Sequence, residues 1–199
     1  MPIPSIRLAS LLLASIAVLA PFAASRADES PGRAKAQTCF SCHGPEGNSG
    51  TPEVPSIAGQ PREFIAKQLH LFRDGGRIDA QMAPMTVNLS DRDIDDLAAY
   101  FSQVPAAPPE RPADPAIAAA AQPLIEARQC VACHGERLSG QLQAPRLAGQ
   151  QRAYLSWQLR AYRDGQRADP DATMRDATKR LSNRDIGLIA DYISRLDAR

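Results

Sequence analysis

Apolar side chains recur with a helical period in two segments of the chain. Each segment spaces four apolar residues at i, i+3, i+4 and i+7, giving the stripes Ile94, Leu97, Ala98, Phe101 and Ile186, Ile189, Ala190, Ile193. This spacing is typical of an amphipathic helix that packs one face against a core. A Ser followed three residues later by an Asp precedes each stripe and resembles a capping box with Asp in place of Glu; the pairs are Ser90 with Asp93 and Ser182 with Asp185. The pattern predicts two equivalent, capped helices.

Four further segments are predicted to be helical, and no segment shows a convincing strand alternation. Two short helices are expected to end at paired cysteine motifs, at residues 33–42 and 122–133. Two more are expected at residues 63–73 and 152–163, where Gly75 and Gly165 follow as stop signals. The predicted fold class is therefore all-α.

The predicted helices belong to an internal repeat with an offset of 90 to 92 residues. IAGQ at 57–60 matches LAGQ at 147–150, QLHLFRDG at 68–75 matches QLRAYRDG at 158–165, and LSDRDI at 89–94 matches LSNRDI at 181–186. A proline-dense stretch between the repeats favours extended polyproline geometry and a semi-rigid spacer. The predicted organisation is a signal peptide at 1–27, an N-terminal domain at 28–103, a Pro/Ala-rich linker at 104–121 and a C-terminal domain at 122–199.

The N-terminus has the order of a secretory signal. Arg7 and the α-amino group supply positive charge, residues 8–20 are almost wholly apolar, and Ser25 and Ala27 place small residues at a cleavage site. An uncleaved anchor is the alternative, but the apolar run is shorter than the ~20 residues that a spanning helix needs. We therefore expect cleavage after Ala27 and an exported chain that does not span the membrane, located in the periplasm of a Gram-negative source.

All four cysteines lie in two C-x-x-C-H motifs, which are typical of covalent attachment of a c-type haem. Two thiols three residues apart can each form a thioether, and the next histidine supplies the proximal nitrogen to the iron. A redox dithiol needs no such histidine, and a zinc site draws its ligands from motifs close in sequence. The motifs predict two covalently bound haem c groups, attached at Cys39, Cys42, Cys130 and Cys133 with His43 and His134 as axial ligands.

The repeat also selects a sixth ligand for each iron. Beyond the signal peptide the methionines are Met82, Met85 and Met174, and Met82 and Met174 occupy equivalent positions, 39 and 40 residues after their histidines. Met85 aligns with an alanine and is interpreted as core filling. His70 aligns with an arginine, which favours a surface or packing role. Because the register and the separations agree, we predict that His43 and Met82 bind one iron and His134 and Met174 the other. A methionine ligand closes a site that could otherwise bind gases or peroxide.

These motifs, together with P-x-[IL]-A-G-Q at 55–60 and 145–150, resemble the cytochrome c4 family of dihaem cytochromes. The resemblance implies two tandem cytochrome c-like domains whose His/Met haems face each other across a domain interface. It implies periplasmic electron transfer, commonly towards a terminal oxidase. It also implies that the carbonyls of Pro55 and Pro145 accept hydrogen bonds from the proximal histidines.

Charge is divided between the two halves of the chain. Residues 28–103 hold 7 Lys and Arg against 11 Asp and Glu, a net charge of −4, whereas residues 122–199 hold 13 against 9, a net charge of +4. Such a division can orient the molecule towards partners. A basic cluster interleaved with aromatic residues is lacking, which argues against nucleic-acid binding.

The leading hypothesis is an electron carrier that is not itself an enzyme. Its expected partners are redox proteins, membrane-bound oxidases or reductases, with peripheral membrane association left open. The alternative is the cytochrome subunit of a periplasmic dehydrogenase, such as a sulfur-compound dehydrogenase, because a fold does not determine a function. A peroxidase-like dihaem enzyme is disfavoured, because it needs one iron with a readily vacated position and two methionines are available.

Overall fold

The computed structural model describes residues 31–167 and 171–197. Within these ranges the chain forms nine α-helices and no β-strand beyond one isolated bridge between Gln141 and Ala144. The predicted signal peptide lies outside the described residues. None of the helices in the described ranges combines the length and the hydropathy that a membrane crossing requires. The all-α prediction is confirmed.

The two halves of the chain share one helix arrangement. The first contains α1 (Pro31–His43), α2 (Arg62–Arg73), α3 (Met82–Thr86) and α4 (Asp91–Gln103). The second contains α5 (Pro115–Ala127), α6 (Cys130–His134), α7 (Arg152–Arg163), α8 (Thr173–Thr178) and α9 (Asn183–Ser194). Helices α1 and α2 pack against α4, and α5 and α7 pack against α9. The last helix of each half is therefore the centre of its domain.

Each apolar stripe is buried in a separate core, as predicted. All eight stripe residues of α4 and α9 are between 0 and 3% exposed. In the first core, Tyr100 and Phe101 of α4 pack ring against ring at 5.1 Å and both lie near Phe40 of α1. In the second core the stripe packs against Ile125 of α5 and Leu155 of α7. The first C-x-x-C-H motif forms the end of α1 and the second forms α6, so each lies next to its domain core.

Both predicted capping boxes are present. Ser90 Oγ accepts the Asp93 N–H at 3.2 Å while Asp93 Oδ2 accepts the Ser90 N–H at 3.0 Å. In the second domain Ser182 and Asp185 make the same two bonds at 3.1 and 2.9 Å. In α4 alone, Lys35 of α1 also binds Asp93, at 2.8 Å. In the first domain, the carboxylate that caps α4 therefore also binds α1 through Lys35.

Acid should weaken the ion pair between Lys35 and Asp93 that joins α1 to α4. The bond from Lys35, followed by those from Ser90, holds the pKa of Asp93 well below its ordinary value of 3.8. A carboxyl whose pKa is lower in the folded chain stabilises the fold above its unfolded pKa, and this contribution is lost as the pH falls through the folded pKa. We expect Asp93→Asn to destabilise the protein at neutral pH by more than Asp185→Asn, in denaturant unfolding followed by circular dichroism. Near pH 2 the gap between Asp93→Asn and wild type should narrow, and an unchanged gap would contradict this assignment.

The start of the second domain differs from the prediction of one helix over 122–133. Gln129 adopts a left-handed conformation with φ of 52° and separates α5 from α6. Helix α5 also begins earlier, at Pro115, inside the range expected to be linker. Asp114 caps it by accepting the Ala116 N–H at 2.7 Å, and proline at the first helical position is preorganised for a helix. Residues 105–114 between the domains are not helical.

Candidate functional site

The two motif histidines lie at the ends of α1 and α6, and both are buried. His43 is 7% exposed and His134 is 6% exposed. The Nδ1 of His43 lies 2.8 Å from the Pro55 carbonyl oxygen, and that of His134 lies 2.8 Å from the Pro145 oxygen. Because a carbonyl only accepts, each Nδ1 carries the proton and each Nε2 keeps a free lone pair. Burial lowers the pKa of both histidines, so neutral imidazoles can bind a metal.

The two cysteines of each motif form no disulfide and lie one helical turn apart. The first of each pair, Cys39 and Cys130, is half-buried and packs against its domain core, and burial raises the pKa of both thiols. The second of each pair, Cys42 and Cys133, is exposed. Residues three apart on a helix share a face, so both thiols can reach one planar group.

The predicted methionine ligands occupy equivalent short helices. Met82 begins α3 and Met174 lies in α8, and both side chains are half-buried. Met85, one turn further along α3, is 45% exposed. This exposure does not fit the core-filling role expected of Met85. The difference in burial favours Met82 over Met85 as the residue directed into the domain.

Each methionine helix contains a buried threonine that is hydrogen-bonded to the methionine carbonyl one turn earlier. Thr86 and Thr178 are each 1% exposed. Thr86 Oγ1 donates to the Met82 carbonyl at 3.1 Å, and Thr178 Oγ1 donates to the Met174 carbonyl at 2.8 Å. Sequence reasoning missed both residues, although a threonine four residues after each methionine is a signal that the repeat contains.

The A-G-Q segments connect each site to the domain interface. Gly59 and Gly149 have φ of 65° and 68°, a left-handed conformation that favours glycine. Their N–H groups donate to the carbonyls of Phe101 and Ile193 at 2.8 and 3.0 Å, which ties each segment to the last helix of its domain. The glutamine that follows each glycine points to the other domain.

These glutamines form a pseudo-twofold pair of contacts across the interface. The Gln60 amide accepts the Arg146 N–H and donates to the Arg146 carbonyl, both at 2.9 Å. The Gln150 amide accepts the Ser56 N–H at 2.8 Å and donates to the Ser56 carbonyl at 2.9 Å. All four residues are buried. In contrast, ion pairs between described residues, such as Lys35 with Asp93, lie within one domain.

Three arginines near the interface, of which Arg146 is buried and Arg77 and Arg167 are half-buried, form no ion pair with a described carboxylate. Arg146 is 4% exposed, its guanidinium donates to the carbonyls of Ala148 and Ala58, and its buried Nε has no acceptor. Burial lowers the pKa of Arg146 to about 10. Arg77 and Arg167 face each other across the interface and share Gln68 and Gln158 as hydrogen-bond acceptors.

A haem fits this donor set. Burial, followed by the charge of Arg77, lowers the pKa of Arg167, and neither of these two arginines forms an ion pair with a described carboxylate. Cations that lie half-buried beside one another favour a compensating anion nearby. The carboxylates of haem propionates would supply them, so the site fits haem in its charges as well as in its cysteines and histidines.

The remaining candidate, His70, lies on α2, where its Nδ1 is 3.0 Å from Arg73 Nη2. This contact agrees with the surface or packing role expected for it.

Comparison with known proteins identifies the family. The family described as "Cytochrome C oxidase, cbb3-type, subunit III" matches residues 27–101, and the family described as "Cytochrome c" matches residues 118–197. Cytochrome c4 of Pseudomonas aeruginosa is 36% identical over 180 residues, which cover 85% of this chain and 89% of that protein. The chain belongs to the cytochrome c4 family. As a cytochrome c4 it carries two covalently bound haem c groups, one at each C-x-x-C-H motif, and it is an electron carrier and not an enzyme.

Two further similarities bear on this cytochrome c4. The crystal structure of reduced recombinant cytochrome c4 from Pseudomonas stutzeri superposes with a TM-score of 0.78 at 35% identity, covering 83% of this chain and 97% of that one. The two tandem cytochrome c-like domains are therefore confirmed. A protein named "Thiosulfate dehydrogenase electron acceptor" from Thiomonas intermedia is 31% identical over 172 residues, covering 80% of this chain and 79% of that protein.

Proposed function

We propose that this cytochrome c4 carries single electrons between respiratory partners in the periplasm, towards a terminal oxidase. The observation that supports this most is the paired arrangement of two buried histidines, each with its Nδ1 proton held by a proline carbonyl. Each domain thus offers an equivalent centre for one-electron chemistry, as an electron shuttle requires.

Each domain would hold one haem through residues of its own. Cys39, Cys42, His43 and Met82 would hold the first, and Cys130, Cys133, His134 and Met174 the second. The bound haem exchanges one electron at its iron. The chain orients each imidazole through Pro55 or Pro145, buries a threonine of each methionine helix, and packs apolar side chains that exclude water.

We further propose that the domain limits are 28–103 and 122–199, with α5 beginning in the linker at Pro115 and continuing into the second domain. We also propose that residues 1–27 are a signal peptide that directs export. The buried glutamine contacts support a fixed relation between the domains, since amides paired with backbone on both sides leave little freedom to slide. A fixed separation between two carriers allows an electron to pass from one domain to the other.

A second candidate function is acceptance of electrons from a thiosulfate dehydrogenase. The similarity to the Thiomonas intermedia protein of that name favours it. The two functions are compatible in direction, because such an enzyme would be the donor and an oxidase the acceptor.

Kinetics with defined partners test these proposals. Oxidised protein is mixed with thiosulfate and a thiosulfate dehydrogenase, and reduced protein is mixed with membranes that contain a terminal oxidase. Fast oxidation by the membranes with slow reduction by the enzyme supports the oxidase route alone. Fast reduction by the enzyme supports the second function, and failure of both reactions contradicts both.

Salt should slow the encounter with a physiological partner. The net charges of −4 and +4 on the two halves make the molecule dipolar, and steering is screened beyond a Debye length of ~8 Å at physiological ionic strength. We expect the second-order rate constant to fall about tenfold from low to high salt in stopped-flow measurements. Transfer between the two haems should barely change, which serves as the internal control. A partner rate that is flat across this range would refute steering.

A further inference from the structure

In each domain, one peptide unit forms side-chain hydrogen bonds through both its carbonyl and its N–H group. In the first domain the Pro55 carbonyl accepts the His43 Nδ1–H at 2.8 Å, while the N–H of the same peptide unit, on Ser56, donates to Gln150 Oε1 at 2.8 Å. Gln150 belongs to the second domain. A single peptide group thus separates the proximal imidazole of one domain from a side chain of the other.

The second domain contains the same construction in reverse. The Pro145 carbonyl accepts the His134 Nδ1–H at 2.8 Å, and the N–H of that peptide unit, on Arg146, donates to Gln60 Oε1 at 2.9 Å. Each glutamine therefore contacts the peptide unit that orients the other domain's histidine.

The whole chain of groups is shielded from water. Ser56, Gln150 and His43 are 7, 4 and 7% exposed, and Arg146, Gln60 and His134 are 4, 3 and 6% exposed. Hydrogen bonds in series polarise one another, and they do so more strongly where the dielectric constant is low. Water cannot replace the glutamine oxygen at a buried peptide N–H without movement of the surrounding groups.

We infer that Gln60 and Gln150 are positioning residues that tune the haem of the opposite domain. An acceptor at the peptide N–H makes the carbonyl of the same peptide a better acceptor, which draws the Nδ1 proton and makes the imidazole more electron-rich. An electron-rich axial ligand favours ferric iron, so each glutamine lowers the reduction potential of the opposite haem. The coupling is reciprocal, so oxidation of one haem strengthens the interface bond to its domain.

The inference rests on the proposed ligation of iron by His43 and His134. The low-spin spectrum of a His/Met haem reports that ligation in every variant, independently of the potential. Absence of that spectrum from the wild-type protein would contradict the proposed function. An intact spectrum, with haem potentials in the variants that do not shift as expected, would contradict this inference alone.

The test compares the two haem potentials in Gln150→Leu, Gln60→Leu and Lys67→Ala, with each haem assigned by its nuclear magnetic resonance signals. Lys67 supplies the control because its exposed interdomain bond to Gln143, 3.1 Å long, touches neither peptide unit. Gln150→Leu should raise the potential of the first haem, changing its oxidised-to-reduced ratio on the order of threefold, where tenfold equals 59 mV. Gln60→Leu should do the same to the second haem, and Lys67→Ala should shift neither.

A second measurement and a milder variant distinguish a local effect on one haem from a general disturbance of the domain interface. In the reduced protein, Gln150→Leu should move the His43 Nδ1–H resonance upfield and leave that of His134 in place. Gln150→Glu keeps an acceptor oxygen at the Ser56 N–H and should leave the first potential at or below that of the wild type. Equal shifts of both haems in each leucine variant, no shift at all, or a rise in Gln150→Glu equal to that in Gln150→Leu would overturn the inference.

Discussion

Replacing Met174 with alanine should lower the reduction potential of the second haem. It should also remove about half of the weak near-infrared sulfur-to-iron band of the oxidised protein, since one of two methionine ligands is lost. The potential falls because a methionine sulfur favours ferrous iron over ferric iron. Optical spectra and a redox titration of the same sample measure both effects.

The first domain offers a matched control for this experiment. Met82→Ala should act on the first haem as Met174→Ala acts on the second, whereas Met85→Ala should leave the band intact. Met85 is 45% exposed and one helical turn away from Met82, so it reports any general disturbance of α3. If Met85→Ala abolishes the band of the first haem while Met82→Ala preserves it, the assignment from the repeat is wrong.

Replacing Gly32 with alanine should destabilise the first domain. A Cβ at this position would lie 2.1 Å from the Asp96 carbonyl oxygen and 2.8 Å from Tyr100 Cβ, so α1 would have to move away from α4. Overpacking costs typically 1–3 kcal/mol, and the gain in helix propensity returns up to about 1 kcal/mol. Because the closest contact is backbone, we expect a net loss of about 2 kcal/mol in denaturant unfolding.

Gly187 in α9 provides the opposite case. A Cβ there meets nothing within 4 Å, so Gly187→Ala should stabilise the protein by about 0.5–1 kcal/mol through helix propensity alone. Equal effects of the two substitutions would show that the close packing of α1 on α4 does not limit stability.

The helices were largely predictable because their signals are local. The segments predicted at 63–73 and 152–163 are observed at Arg62–Arg73 and Arg152–Arg163, and both serine caps form as the sequence indicates. The break at Gln129 was not predictable, because nothing in that residue type requires a left-handed conformation. The tertiary structure fixes it.

The interface was not predictable, because the repeat relates the two domains without saying which one a residue contacts. Gln60 and Gln150 occupy the same position of the repeated motif. The motif alone does not indicate whether each glutamine bonds within its own domain or across the interface. The repeat does not single out Arg146 either, because the equivalent residue in the first domain is Ser56. The choice of Met82 and Met174, in contrast, could be made from the sequence because their register repeats, and their role as ligands stays a prediction.

We propose that each of the two irons of this electron-carrying cytochrome c4 is closed by a histidine and a methionine. A potentiometric titration of the purified protein, recorded with and without carbon monoxide, tests it most directly. We expect two one-electron steps per polypeptide, with potentials that carbon monoxide does not change. A single step per chain, or a step that shifts when carbon monoxide is present, would contradict it, because the first indicates one haem and the second an open iron.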